Sequence, residues 1–310
     1  MRTAFIETLV DLASVDERIF LLTGDLGWTV VEAFATKFPD RFLNVGVAEQ
    51  NMAGIATGLA QAGFVPFIYS IVTFASMRCY EQVRNGAILH ELPVRIVGIG
   101  GGYAYGHAGP THYGLEDLSI ARTQPGMTVI APADPAQTRS ALRTIMSVSG
   151  PVYLRIGKGG NPEVPGLNGR FALSRPEVVR EGSQALFLAC GNIVHDALRA
   201  AHLLSEKGIS VTVAIMAHLP FTASFELIEL LSRFPFVLTV EEAYAVGGLG
   251  SLVAETIAQS HLQCHLCIRG VTKNFSCESG SESYMRAQHS LNAEALAESA
   301  IKLLMSPKDD

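Results

Sequence analysis

Charge is scarce in this chain. Lys, Arg, Asp and Glu make up 17% of its 310 residues, against 48% hydrophobic residues. That is apolar for a monomer free in water and points to a large buried interface with another subunit. Positive charge is in deficit, with a net charge of −6, so nothing argues for nucleic acid or an anionic membrane as partner. Cysteine is sparse too: five residues, an odd count without framework spacing. This excludes a disulfide scaffold and fits a reducing compartment. No apolar run reaches the roughly 18 residues of a membrane span. No charged-apolar-small leader stands at the N-terminus, and we expect a cytoplasmic protein.

What is present is an alternation of short apolar strands and amphipathic helices. Strand-like runs at 18–23, 42–47, 65–72, 93–99, 127–131 and 152–156 are separated by helical stretches with short connections. This is the pattern of a doubly wound parallel sheet. The run at 73–89 reads as one helix. Residues 157–176, GKGGNPEVPGLNGRFALSRP, are dense in Gly, Pro and Asn and read as a linker. A second α/β unit follows, with strands at 185–189, 210–216, 236–240 and 266–271 and a closing helix at 293–304. We expect an α/β protein of two doubly wound domains: 1–160, a linker at 161–181, and 182–310, with a parallel first sheet and a mostly parallel second one.

The chain is organised around RFLNVGVAEQNMAGIATG, residues 41–58. A strand runs into a helix, and Glu49 sits at the junction. Met52, Ile55 and Leu59 recur at helical spacing, and Ala53, Gly54, Ala56 and Gly58 are small. Burying a carboxylate there costs free energy unless it has a specific partner. Glu49 is therefore either a surface acid in the first helical turn, where the dipole favours it, or a buried general acid/base. Other signals are weaker. Gly247-Gly248-Leu249-Gly250 precedes a helix but lacks the full dinucleotide spacing. Cys264 and Cys267 with His261 and His265 resemble half a metal site, yet they fall on a strand whose sides alternate. His107 and His112 lie on a Gly-rich loop at a strand's carboxyl end, a good place for chemistry.

Several stretches in fixed order carry a family resemblance. They are GDLG at 24–27, GVAEQN at 46–51, Thr73-Phe74, Tyr80-Glu81-Gln82-Val83-Arg84, GPTH at 109–112, Leu115-Glu116-Asp117, TVIAPAD at 128–134, Leu154-Arg155, and Val240-Glu241-Glu242 with GGLGS. Over nearly all its length the chain resembles the C-terminal half of a transketolase: the pyrimidine-binding domain followed by the transketolase C-terminal domain.

The resemblance implies thiamine diphosphate chemistry. Glu49 matches the glutamate that hydrogen-bonds the cofactor's aminopyrimidine, and a buried carboxyl is easier to keep protonated. Phe74 matches the phenylalanine that stacks on that ring, with Tyr69 and Tyr80 as weaker candidates for the same pocket. His112 matches a histidine facing the reacting oxygen of the substrate. Asp25 matches an aspartate near the cofactor. Arg2, Thr29 and Arg155 fall where the family holds the sugar phosphate.

Two positions depart from the family. Gly100 and Ala108 stand where transketolases carry a histidine and an aspartate that bind sugar hydroxyls, so we expect a roomier pocket with two fewer polar anchors. No GDG…N segment, the family's holder of diphosphate and metal, is found. The resemblance then implies a split enzyme, in which Mg2+ or Ca2+ and the diphosphate are held by an N-terminal partner subunit and not by a metal ligand of this chain. We expect an α2β2 assembly with self-dimerisation. We expect a transferase that moves a two-carbon ketol unit between ketose and aldose, both phosphorylated by the family's precedent. One alternative is a decarboxylating subunit resembling deoxyxylulose-phosphate synthase or a 2-oxo acid dehydrogenase β subunit. Another is a non-catalytic interaction subunit.

Overall fold

The computed structural model describes residues 1–272 and 277–305. Helix α1 (Arg2–Ala13) leads into β1 (Ile19–Thr23), α2 (Glu32–Lys37), β2 (Phe42–Asn44), α3 (Glu49–Gln61) and β3 (Val65–Ile71). A helical region carrying α4 (Tyr80–Val83) follows, then β4 (Arg95–Ile99), α5 (Asp117–Arg122), β5 (Thr128–Ile130), α6 (Pro135–Ile145) and β6 (Val152–Ile156). The six strands form one parallel sheet in the order β2-β1-β3-β4-β6-β5. Strands buried on both faces read as continuous apolar runs, and β4 and β6 are buried at every position.

The second sheet is built from β7 (Glu177–Arg180), β8 (Ala185–Cys190), β9 (Val211–Ile215), β10 (Phe236–Tyr244) and β11 (His265–Val271). Its order is β11-β10-β8-β9-β7, parallel except that β7 runs against β9. Helices α7 (Val194–Ser205), α8 (Phe225–Ser232), α9 (Leu249–Gln259), α10 (Glu282–Gln288) and α11 (Ala293–Met305) cover it. The two expected α/β units are both present.

Four local features differ from the sequence reading. Strand β7 lies inside the segment expected as linker, where Glu177 is buried between Arg170 and Arg175. Strand β10 runs on past Val240 and takes Glu241 and Glu242 into the core. Helix α10 has no sequence signal, because its seven residues hold too few apolar positions to show a period. The run at 73–89 is helical but broken: wide π-helical turns at Phe74–Arg78 and Arg84–Ile88 flank α4. Such turns gather at functional sites.

The two sheets are joined by main chain. Ala131 N–H donates to the Ala217 carbonyl at 2.7 Å and Leu219 N–H to that of Val129 at 2.9 Å. A single apolar cluster runs from Met52 and Ile96 in the first unit to Leu186, Leu230 and Leu252 in the second. Asp134 caps α6 through Gln137 N–H at 2.6 Å and also accepts Val164 N–H at 2.8 Å, tying the connecting segment down. At the first sheet's carboxyl edge, the loops after β1, β2, β3, β4 and β6 come together. Open α/β sheets place their ligands at that edge.

Candidate active site

Glu49 opens α3. The chain leaves β2 at Asn44 and turns through Gly46, whose φ of +73° favours glycine. Asn44 braces the turn: its Oδ1 accepts from Gly46 N–H at 3.0 Å and Asp25 N–H at 2.9 Å, and its amide donates to Asp25 Oδ1 at 3.1 Å. The buried side of α3 (Met52, Ala53, Ala56, Ala60) draws the helix onto the sheet and Glu49 with it. Glu49 is 1% exposed, so it is not a surface acid. Its setting is not purely apolar either. Oε1 accepts the Ser70 hydroxyl at 2.9 Å, and Oε2 pairs with Arg78 at 2.7 Å. Neither partner is legible in the sequence. Ser70 lies near the end of β3, and Arg78 reaches the carboxylate from the wide turn after that strand.

From Glu49 the site continues as a row of flat groups. The Arg78 guanidinium lies 4.2 Å from the Phe74 ring centroid. Phe74 meets the His112 ring at 5.4 Å, edge to face at 70°. His112 Nδ1 is 2.9 Å from the Thr111 hydroxyl, which fixes the ring. Tyr105 follows at 6.2 Å from His112, and the Lys158 ammonium sits 4.5 Å from the Tyr105 ring. Arg2 Nε donates to the Lys158 carbonyl, bringing a second cation to that end. The row therefore starts at a buried acid and ends at two cations, with an imidazole between them.

Asp25 and Thr29 occupy the loop after β1, both exposed and both at positive φ (57° and 65°). Gly24 brings that loop against the carboxylate, since a Cβ there would lie 3.2 Å from Glu49 Oε1. Thr29 N–H is held by Glu32 at 2.8 Å. Tyr69 is 1% exposed and packs on Phe5, while the Tyr80 hydroxyl donates to the Ile120 carbonyl at 3.3 Å, so both serve the core.

Arg155 does not join the row, and the phosphate role expected of it does not fit its place. It is 9% exposed, donates to the Glu242 carbonyl at 2.7 Å and faces Asp117 at 3.5 Å. Lys158, three residues on and exposed, is the cation that reaches the site. The sequence gives no local sign of this, since in the RIGKGG run Arg155 lies on β6 and Lys158 alone on the loop beyond it.

The roomier pocket expected at Gly100 is also corrected. A Cβ there would meet Tyr105 Cε2 at 2.2 Å, so the tyrosine ring already fills the space. Ala108 and His107 are exposed on the loop. The GGLG turn is not a phosphate cradle, because Glu241 occupies the α9 N-terminus. Its carboxyl accepts Leu249 and Gly250 N–H, each at 2.8 Å. Cys264, Cys267, His261 and His265 do not converge. Among the described residues no group of three or more His, Cys, Asp or Glu is placed to hold a metal ion. No helix among them is long and apolar enough to cross a membrane.

Fold and site together define a two-unit α/β chain with a buried acid, an aromatic platform and a histidine at the carboxyl edge of a parallel sheet. Residues 1–162 match the transketolase pyrimidine binding domain, and residues 175–296 match the transketolase C-terminal domain. The chain belongs to the transketolase family. It is 36% identical over 304 residues to the 6-deoxy-6-sulfo-D-fructose transketolase subunit SqwH of Clostridium sp. (strain MSTE9), covering 97% of this chain and 93% of that protein. It is 30% identical over 305 residues to an apulose-4-phosphate transketolase subunit of Phocaeicola vulgatus, covering 98% and 97%. Among solved structures, a split gene transketolase in the form of an inactive beta4 tetramer matches with a TM-score of 0.89 at 34% identity, over 98% of this chain and 97% of that one.

Proposed function

We propose that this chain is the C-terminal subunit of a split, thiamine-diphosphate-dependent transketolase, acting on anionic sugars only when paired with an N-terminal, diphosphate-binding subunit. The observation that carries the reading is the row from Glu49 through Phe74 and His112 to Lys158 and Arg2. Full-length likeness to chains named as transketolase subunits supports it.

The residues fit a flat, nitrogen-bearing ring. Arg78 already sets a planar donor group against both the Glu49 carboxyl and the Phe74 face. When bound, thiamine diphosphate supplies a nucleophilic carbon. Glu49 then holds and returns a proton at its buried carboxyl, and Phe74 orients the aminopyrimidine. His112 moves a proton to and from the substrate oxygen beside the reacting carbon, a task that suits imidazole near neutral pH. Arg2 and Lys158 bind the substrate's anionic end, with Thr29 on the facing loop, and Asp25 lies near the cofactor. The partner holds the metal, Mg2+ or Ca2+, in an α2β2 assembly in the cytoplasm. We take 1–160 and 182–310 as the two domains, joined by 161–181.

The test is co-expression with the partner and assay of ketol transfer from a ketose phosphate, with pyruvate as the competing donor. Glu49→Gln keeps the shape of the side chain but cannot cycle the proton. Turnover in the assembled complex should fall by about 10²–10⁴-fold or more. Near-normal turnover of the variant removes Glu49 from its role. Product formed from pyruvate but not from the ketose places the chain with the decarboxylating enzymes instead.

A further inference from the structure

We propose that the Arg78 guanidinium is a displaceable counterion of Glu49. It holds the place of the cofactor's aminopyrimidine, and Glu49 takes up a proton from solvent when the ring replaces it. The inference rests on the functional reading above. Its basis is that one side chain occupies both contacts the ring needs. Arg78 meets Glu49 Oε2 at 2.7 Å and lies 4.2 Å from the Phe74 ring centroid. The other carboxylate oxygen is taken. Glu49 Oε1 accepts the Ser70 hydroxyl at 2.9 Å, and Gly24 stands so close that a Cβ on it would lie 3.2 Å from the same oxygen. Glu49 is 1% exposed, so the guanidinium covers the remaining approach to it. The Arg78 side chain is 40% exposed and can turn out to water; Glu49 cannot.

Charge links this exchange to a proton. Among the described residues, Arg78 alone forms an ion pair with Glu49. The other titratable groups around the carboxyl supply no cation in its place. Cys79 follows Arg78 in the chain and is buried; burial first, and the Glu49 charge after it, push the thiol up to about 12. Asp25, beside Gly24, is an acid held by the Asn44 amide. His112 lies beyond the Phe74 ring and is held by Thr111. On α3 itself the residues after Glu49 are Gln50, Asn51 and Met52, without charge. A buried carboxylate that exchanges its cation for a neutral ring is left uncompensated, at a high cost. A proton taken from solvent removes that cost and gives the carboxyl an O–H to donate to a ring nitrogen. Arg78 is thus a positioning residue. It keeps Glu49 ionised and in place, and its departure brings the proton on.

The experiment is calorimetric titration of the assembled complex with thiamine diphosphate and Mg2+ at neutral pH, in buffers of different ionisation enthalpy. Proton uptake is counted against Glu49→Gln, so that protons exchanged by the ligand and the partner cancel. Wild type should take up close to one proton more than Glu49→Gln. Relative to that variant, its Kd should rise about tenfold per pH unit as pH rises through neutrality. Arg78→Met and Arg78→Gln should bind at least as tightly as wild type and take up no more than Glu49→Gln, because a buried Glu49 without its cation already carries the proton. Arg78→Lys keeps the charge and should restore the uptake. Thermal melts check that each assembled variant is folded. Uptake by the neutral Arg78 variants equal to that of wild type overturns the proposal and leaves the functional reading standing. So does binding weakened more than about tenfold, which would make Arg78 a holder of the bound ring. If wild type and Glu49→Gln take up the same number of protons, the functional reading loses its proton at Glu49, and this inference falls with it.

Discussion

At the scale of single residues, the site depends on small side chains that let large ones through. Gly100 is the sharpest case, because it combines a positive φ with a ring pressed onto its Cα. Gly100→Ala meets both penalties. Thermal or urea unfolding should show a loss of more than about 1 kcal/mol, as Ala at positive φ is strained even without a clash. An unchanged midpoint would mean both that Tyr105 swings away and that the backbone at 100 relaxes out of its positive φ. Gly101 plays the matching part for Arg155, whose Nε would lie 1.7 Å from a Cβ at 101. Glu49, Phe74 and His112 stand out in the sequence through motifs that resemble the transketolase family, and the structure brings them into one row. Arg78, Tyr105 and Lys158 do not stand out. Each acts through spatial neighbours away in the chain, and a lone Arg, Tyr or Lys in a loop carries no period and no spacing. Arg155 misleads for the converse reason: its residue type suits an anion, but its strand is buried at every position.

At the scale of elements, α9 shows how an acidic side chain can stand in for an external anion. Glu241 comes from β10, is fully buried and holds the first N–H groups of the helix. Burial raises its carboxyl to about 7, against the pull of those two N–H donors. Between the ordinary carboxylate value and about 7, the native protein keeps a proton that the unfolded chain releases. Stability should therefore fall as pH rises across that window, by up to about 3 kcal/mol, and level off above it. Glu241→Gln cannot titrate, and its amide nitrogen cannot accept an N–H. Denaturant unfolding at a series of pH values should find the variant less stable overall but with this slope removed. An equal slope in both proteins would assign the pH dependence elsewhere. From the sequence the strand ends at Val240, because two consecutive glutamates look like the start of a surface loop. Only the helix that Glu241 caps makes its burial tolerable.

At the scale of the whole molecule, the two sheets behave as one body. Main-chain bonds cross between them, and Arg155 of the first unit is engaged by Asp117 in its own unit and by the Glu242 carbonyl in the other. Asp117 is 1% exposed, and its other oxygen takes the Tyr153 hydroxyl at 2.7 Å. Calorimetric unfolding of the chain should give one cooperative transition. Arg155→Met leaves Asp117 buried without its cation and should cost about 3–5 kcal/mol, the scale of breaking a buried pair. It should also split or broaden the transition, because one of the bonds lost spans the two units. A single sharp transition at the wild-type temperature would show that the arginine is not what couples them. Two α/β units are legible from strand–helix alternation alone, but their coupling is not. It rests on contacts between positions far apart in the chain, such as Arg155 and Glu242, which no local pattern announces.

The wide turns on either side of α4 have a consequence of phase. Each turn closes its ladder with one residue more than an α-helix uses, so each sets the chain beyond it about 100° behind. Together they put the chain after Ile88 about 200° away from where an unbroken helix would aim it. The first of these offsets lies between Phe74 and Arg78, the two residues that face each other across 4.2 Å. The alignment of platform and cation is thus fixed by a residue count as well as by residue types. A chain one residue shorter between Phe74 and Arg78 would retain every contacting side chain and still present the guanidinium to a different neighbour.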